Sequence, residues 1–176
     1  MLKRHDIIVA LKLIRPDSSA DSPTYGRLAE QVGLSASETH AAVERGLLTG
    51  LLRRNTSDVR SMPVANRTAL REFLVHGLKY VWPADRGPLA RGVPTASSES
   101  RVAERLQLVQ PVPALVWPHP EGAVRGEAVQ PLHPKAASLC QTDSDLHEWL
   151  ALIDIIRLKA GREASLAAAE IDRRLR

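Results

Sequence analysis

The sequence predicts an α+β protein: a helical N-terminal region, then a small Pro-rich β-hairpin module and C-terminal helices. Two observations carry this. Nine of the twelve prolines fall between residues 81 and 136, a density that forbids long helices and central strands and leaves edge strands and turns. The flanking segments, 1–80 and 142–176, instead show apolar residues at helical spacing. The natural division is therefore 1–80 and 81–176. A chain of 176 residues, 44% hydrophobic and 25% charged, suits one ordinary domain or two small ones and argues against wholesale disorder.

In the first region a helix is expected over about residues 2–14, with Ile7, Leu11 and Ile14 in a stripe that Ala10 and Leu13 widen, closed by Pro16. A polar loop over 17–23 follows, then a short helix from Thr24 to Val32. Gly33 supplies a turn residue that tolerates positive φ, and a third helix starts at Ser35. A fourth runs from Asn66 to about His76 with Leu70, Phe73 and Leu74 on its apolar face.

In the middle region, VWPADRGPLARG (81–92) and VWPHPEGAVRG (116–126) share a frame of Val-Trp-Pro, three residues, Gly, and a closing Arg-Gly. Each reads as strand, turn and returning strand, so two related hairpins are expected. Trp82 and Trp117 are then either core of the β module or cation–π partners of Arg91 and Arg125. In the last region, Asp143 or Ser144 caps a helix reaching about Lys159, Gly161 interrupts it, and Glu163 to Leu175 forms a second helix. The broad apolar face of this pair either covers the β module or forms a homodimer interface. Arg173, Arg174 and Arg176 at the end suit the helix macrodipole.

Charge is uneven. Residues 45–79 hold seven basic side chains (Arg45, Arg53, Arg54, Arg60, Arg67, Arg71, Lys79) against Asp58 and Glu72. Such an excess fits either a polyanion-facing surface or a solvated face. Aromatics make up only 3%, which disfavours single-stranded RNA modules built on base stacking.

The stretch LAEQVGLSASETHAAV (28–43) sharpens the reading. A helix-turn-helix needs a small residue where the second helix crosses the first, a glycine where the chain reverses and an apolar anchor after it. Ala29, Gly33 and Leu34 occupy those places in order. Leu28 and Val32 supply the core side of the first helix, Ala42 and Val43 that of the second. Ser35 with Glu38 three residues on makes a capping box.

With these residues the chain resembles the winged helix-turn-helix regulators of bacteria, particularly those of MarR type. Leu28 to Ser35 and Gly50-Leu51-Leu52 match the family's run, and the resemblance covers roughly residues 4–60. Thr39 stands where the family usually has Val or Ile, and Gly46 where it usually has Leu. The resemblance implies a sequence-specific, double-stranded DNA-binding transcriptional regulator whose helix from Ser35 enters the major groove. Ser35, Ser37, Glu38, His40 and Arg45 would then face base edges or phosphates, and Arg53, Arg54 and Arg60 would sit on the wing. It also implies a homodimer. An alternative from a different class is a protein-interaction module, such as an antitoxin or adaptor, whose residues 81–176 bind a partner protein. A helix-turn-helix used on structured RNA is a third.

Enzymatic readings find little support. The six histidines form no His-x-x-x-His or His-Glu-x-x-His spacing. Cys140, the single cysteine, has no orienting partner in sequence, and no phosphate-binding glycine loop is present. No enzyme activity, cofactor or metal is expected. A lone cysteine, no apolar run of the ~18–20 residues that a membrane span needs and no cleavable leader predict a soluble cytoplasmic protein.

Overall fold

Six consecutive residues of α1 (Arg4–Lys12), from Asp6 to Leu11, are buried. The expected stripe is thus too narrow: Ile8 and Val9 are enclosed as well, and Ile14 is only half-buried. The helix is covered from several sides, by α2 (Tyr25–Val32), α3 (Ala36–Leu48) and strand β2 (Val64–Ala65). The computed structural model describes residues 1–14, 23–55, 61–159 and 161–176. They form two compact units, Met1–Leu70 and Arg71–Arg176.

In the first unit, each helix junction follows from local chemistry. Thr24 Oγ1 accepts from the Arg27 amide (3.2 Å) and starts α2. Gly33, at φ +66°, ends it. There the Leu34 amide donates to the Ala29 carbonyl (3.0 Å) and the Gly33 amide to Glu30 (3.3 Å), the paired bonds of a Schellman ending that favours a left-handed residue. On α3 the buried residues are Thr39, Ala42, Val43 and Gly46, one helical stripe. Strand β1 (Leu52–Arg53) pairs antiparallel with β2, Leu52 opposite Ala65 and Arg53 opposite Val64. The Ala65 amide also donates to the Leu13 carbonyl (2.9 Å), which ties the end of α1 to this pair.

The sequence puts the boundary where the prolines begin, at residue 80, whereas the compact units meet at Leu70 and Arg71. The expected fourth helix is also longer. α4 (Arg67–Glu72) continues through a π-helical turn, Phe73–Gly77, into α5 (Leu78–Val81). Leu74 and Leu78 are fully buried, so this stretch contributes to the core that follows it.

Neither expected hairpin forms. The first Val-Trp-Pro ends α5, and only the later part of that frame enters β3 (Arg86–Pro94). In the second frame, β4 (Ala114–Pro118) and β5 (Val124–Val129) run parallel to each other, each antiparallel to β3, and the three close into a small barrel. Gly92 explains the arrangement. It lies opposite Pro118 on one side and Val124 on the other. A Cβ there would stand 2.0 Å from the Trp117 carbonyl oxygen, so glycine alone lets the strands close so tightly. The two Arg-Gly pairs do meet, with Arg91 opposite Arg125 and Ala90 opposite Gly126. Trp117 is buried, and Trp82 sits edge-on to Phe73 (6.1 Å between centroids, 80°). Among the described residues the cation–π contacts are Lys79 on Tyr80 and Arg174 on Trp149, not Arg91 or Arg125.

The second unit is organised round α8 (Ser144–Arg157), started by Asp143 Oδ1 accepting from the Leu146 amide (3.0 Å). Every residue from Glu148 to Arg157 is buried. The apolar face of α8 packs within the unit, against α9 (Gly161–Arg174), α5, α6 (Ser100–Leu106), α7 (Ala136–Cys140) and a 3-10 turn at Ala96–Ser98. At its centre Asp154 accepts from Thr95 Oγ1 (2.8 Å), Trp117 Nε1 (2.6 Å) and Arg157 Nη1 (2.6 Å). Arg157 also donates to the carbonyls of Trp82 (2.9 Å) and Gln130 (3.0 Å). Among the described residues no helix is long and apolar enough to cross a membrane.

The C-terminal arginines have a more specific role than the helix dipole alone suggests. Arg173 and Arg174 donate to Glu170, and Arg174 reaches Glu148 as well. Hydrogen bonds from Arg173 first, and from Arg174, hold the Glu170 carboxyl down to about 2 against the opposing effect of burial. A carboxyl depressed in the folded state stabilises above its unfolded pKa and loses that stabilisation as pH falls toward the folded one. The window is therefore from about pH 5 down to about pH 2. Glu170→Gln is expected to lower stability at pH 7 by about 1–2 kcal/mol, less than the full shift because Arg173 stays largely in solvent. It is also expected to flatten the acid limb in that window. Urea melts across the pH range check both, and an unchanged acid limb contradicts the assignment.

Candidate nucleic-acid interface

The N-terminal half of α3 is built outward from its cap. Ser35 Oγ accepts from the Glu38 amide (3.2 Å), and the Ser35 amide and hydroxyl both donate to Glu38 Oε2 (3.3 and 3.0 Å). The bond from the Ser35 backbone is the main cause that lowers the Glu38 carboxyl, with the hydroxyl next. Both residues are exposed, but their polar atoms serve each other first. The departures from the regulators' pattern have local explanations. Thr39 is fully buried, and its hydroxyl donates to the Ser35 carbonyl (2.9 Å), so it fills a β-branched site without an unsatisfied donor. Gly46 sits under Leu52: a Cβ there would come within 2.7 Å of that side chain. Leu52 of the strand fills the space that a side chain at 46 would take, and α3 continues unbroken to Leu48.

Past the cap, Ser37, His40, Ala41 and Glu44 are exposed on one side of α3. His40 lies tilted against Tyr25, the first residue of α2 (5.1 Å between centroids, 34°). Burial raises the Tyr25 phenol, Glu44 adds to it, and Arg54 opposes it. Tyr25, His40, Glu44 and Arg54 thus share one patch, and Arg53 is exposed as well. Sequence reasoning missed Tyr25; in a chain with so few aromatics, an aromatic at the start of the helix that leads into the reversal was the available signal. Arg60 lies outside the described residues, as do 56–59.

Arg45 is the correction. It does not face outward but forks onto Asp6 of α1, Nε to Oδ2 at 2.8 Å and Nη2 to Oδ1 at 2.6 Å. The Asp6 side chain is 1% exposed and that of Arg45 only 18%. Asp6 Oδ2 also accepts from the Lys3 amide (2.7 Å), so one carboxylate starts α1 and holds α3. The same pairing raises the Arg45 guanidinium, the Asp6 hydrogen bond being the largest cause. His5 completes the cluster at 3.0 Å from Arg45 Nη2; burial, above all, lowers its ring below the usual value. Nothing in the sequence near Arg45 signals a partner 39 residues away.

Of the eight residues expected at the interface, Ser37 and His40 share one exposed side of α3, Ser35 and Glu38 are exposed at its cap, and Arg53 and Arg54 are exposed on and beyond β1. Among the described residues no three His, Cys, Asp or Glu side chains gather so as to hold a metal ion. Comparison of the chain with protein-family models, with curated proteins and with solved structures finds no match.

Because Asp6 is enclosed, Arg45→Met leaves a buried carboxylate without its cation. That variant is expected to lose about 2–4 kcal/mol of stability, the usual cost of removing one partner of a buried pair reduced by the partial exposure of Arg45. Asp6→Asn combined with Arg45→Met is expected to lose less than the two single changes summed. Chemical denaturation of the four proteins measures this, and additive losses contradict the pairing.

Proposed function

We propose that the chain is a sequence-specific double-stranded DNA-binding protein that acts in transcription regulation, with α3 entering the major groove and the β1–β2 pair serving as a wing. The observation that carries this is the exposed face of a helix that follows a tight glycine reversal. Ser37 and His40 project from its first turns, and Arg53 and Arg54 follow on the adjoining strand and loop. A helix presented N-terminal end first across a small-residue crossing suits the width of the major groove. Its contacts divide by chemistry. Hydroxyl and imidazole groups at Ser37 and His40 suit base edges, whereas the two arginines suit phosphates, which supply affinity but not sequence. Ser35 and Glu38 belong to the cap, and Arg45 is withdrawn from the reading set because Asp6 holds it.

Arg53→Ala with Arg54→Ala is expected to weaken binding to every duplex and to reduce the dependence of log K on log[salt] by about 2, near one unit for each phosphate left without its arginine. His40→Ala is expected to leave that slope unchanged and alter the preferred sequence. Selection of bound sites from random duplexes, followed by titrations at several salt concentrations, separates the two. Equal effects of both changes on all duplexes, or no salt-dependent binding at all, contradict the proposal.

A further inference from the structure

The second unit holds a cleft of about 450 Å³ that the DNA-binding proposal leaves unused. One wall is the π-helical turn with α5; the other is the end of α8 with α9. Its size falls in the range of roughly 300–1,000 Å³ typical of small-molecule sites. Val75, Ile156 and Ala164 give it an apolar surface. Its ionisable side chains besides the Tyr80 phenol are His76, Lys79 and Lys159, and among the described residues no carboxylate lines it. Asp172, within electrostatic reach of His76, is already held by Arg71 at 2.5 and 3.2 Å. Lys79 Nζ rests over the Tyr80 ring, 5.3 Å from its centre, and Tyr80 is an exposed residue of the cleft lining.

The backbone is unusual on both walls. The Leu78 amide reaches back to the Phe73 carbonyl in the wide turn, a geometry that occurs mostly as a single turn inside an α-helix and is frequent at functional sites. Lys159, a residue with a full side chain, is held at φ +53°. We propose that this cleft binds a small organic anion with an apolar body, its charge met by Lys79 and Lys159 and its body lying against Val75, Ile156 and Ala164. A pair of lysines beside an apolar surface, with no carboxylate among the described lining residues, favours a ligand with both features over a neutral molecule, which would leave the cations unmatched, and over an inorganic anion, which would leave the apolar surface wet.

The test uses the full chain and the fluorescent probe 8-anilinonaphthalene-1-sulfonate, with N-phenyl-1-naphthylamine as its uncharged counterpart. Saturable binding of the sulfonate at one site per chain is expected, with the uncharged probe at least roughly tenfold weaker, the worth of one partly exposed charge contact. Lys159→Glu and Lys79→Glu are each expected to weaken sulfonate binding by a similar factor, and Ala164→Trp to abolish it by filling the cleft. Circular dichroism and a thermal melt establish that each variant is folded; if Ala164→Trp is not, Ala168→Leu fills the same space. The proposal is overturned by equal affinity for the two probes, by the absence of saturable binding, or by sulfonate binding that survives the folded cleft-filling variant.

Discussion

The first unit depends on one buried carboxylate. Asp6 accepts from its own helix start at Lys3 and from both arms of the Arg45 fork, so the position of α3 against α1 is set by charge geometry as well as by apolar packing. Apolar contacts are non-directional and tolerate rotation of a helix about its axis; a bidentate guanidinium–carboxylate pair does not. Pinning Arg45 inward turns the opposite side of α3 outward. The exposure of Ser37, His40 and Glu44 is therefore a consequence of where Arg45 points. An arginine that sequence logic assigns to a ligand instead positions the helix that carries the proposed contacts.

The second unit uses the same device in a deeper setting. Asp154 gathers donors from the 3-10 approach at Thr95, from β4 at Trp117 and from Arg157 one turn further along α8. Arg157, fully enclosed, spends its other donors on the carbonyls at Trp82 and Gln130, although among the described residues its Nη2 has no partner. Each of these carbonyls lies just past the end of an element, where the regular backbone bonding runs out. A buried ion pair gains little net stability over an apolar replacement, because desolvation offsets its attraction. Here it joins chain ends that packing alone would leave unpaired.

What was legible in the sequence was local. Thr24, Gly33, Ser35 with Glu38, and Asp143 each act on a backbone group within three to five residues, and the structure places all of them as the helix boundaries they signal. Distant pairings left no such trace: Asp6 with Arg45, Thr95 and Trp117 with Asp154, and Arg71 with Asp172. The repeated Val-Trp-Pro frame misled for a physical reason. Val-Trp is equally at home at the end of a helix and in a strand, and Pro83 closes α5 as readily as Pro118 closes β4. What the two frames share structurally is the Arg-Gly pair: Arg91 faces Arg125 across β3 and β5, and a Cβ at Gly92 or Gly126 would strike the backbone of β4. The candidate interface was legible in part. Its helix and cap came from spacing, while the inward turn of Arg45 and the Tyr25–His40 ring contact belong to tertiary structure.

The chemistry of the exposed face of α3 bears on how the proposed DNA contact would work. That face carries Glu44, with Glu38 in the cap before it, and no arginine, so by itself it repels a polyanion more than it attracts one. Two features moderate this. Glu38 is turned back onto Ser35 by the capping box, and Glu44 lies in the patch with Tyr25 and Arg54. The attraction must then come from Arg53 and Arg54, which contribute equally at any sequence. A helix with weak charge attraction of its own binds only where its hydroxyl and imidazole groups find matching base edges, because mismatched sites offer no compensating phosphate contacts along it. Discrimination improves as non-specific attraction is moved off the reading helix, so a face poor in arginine is compatible with selective binding and sets a low ceiling on its affinity.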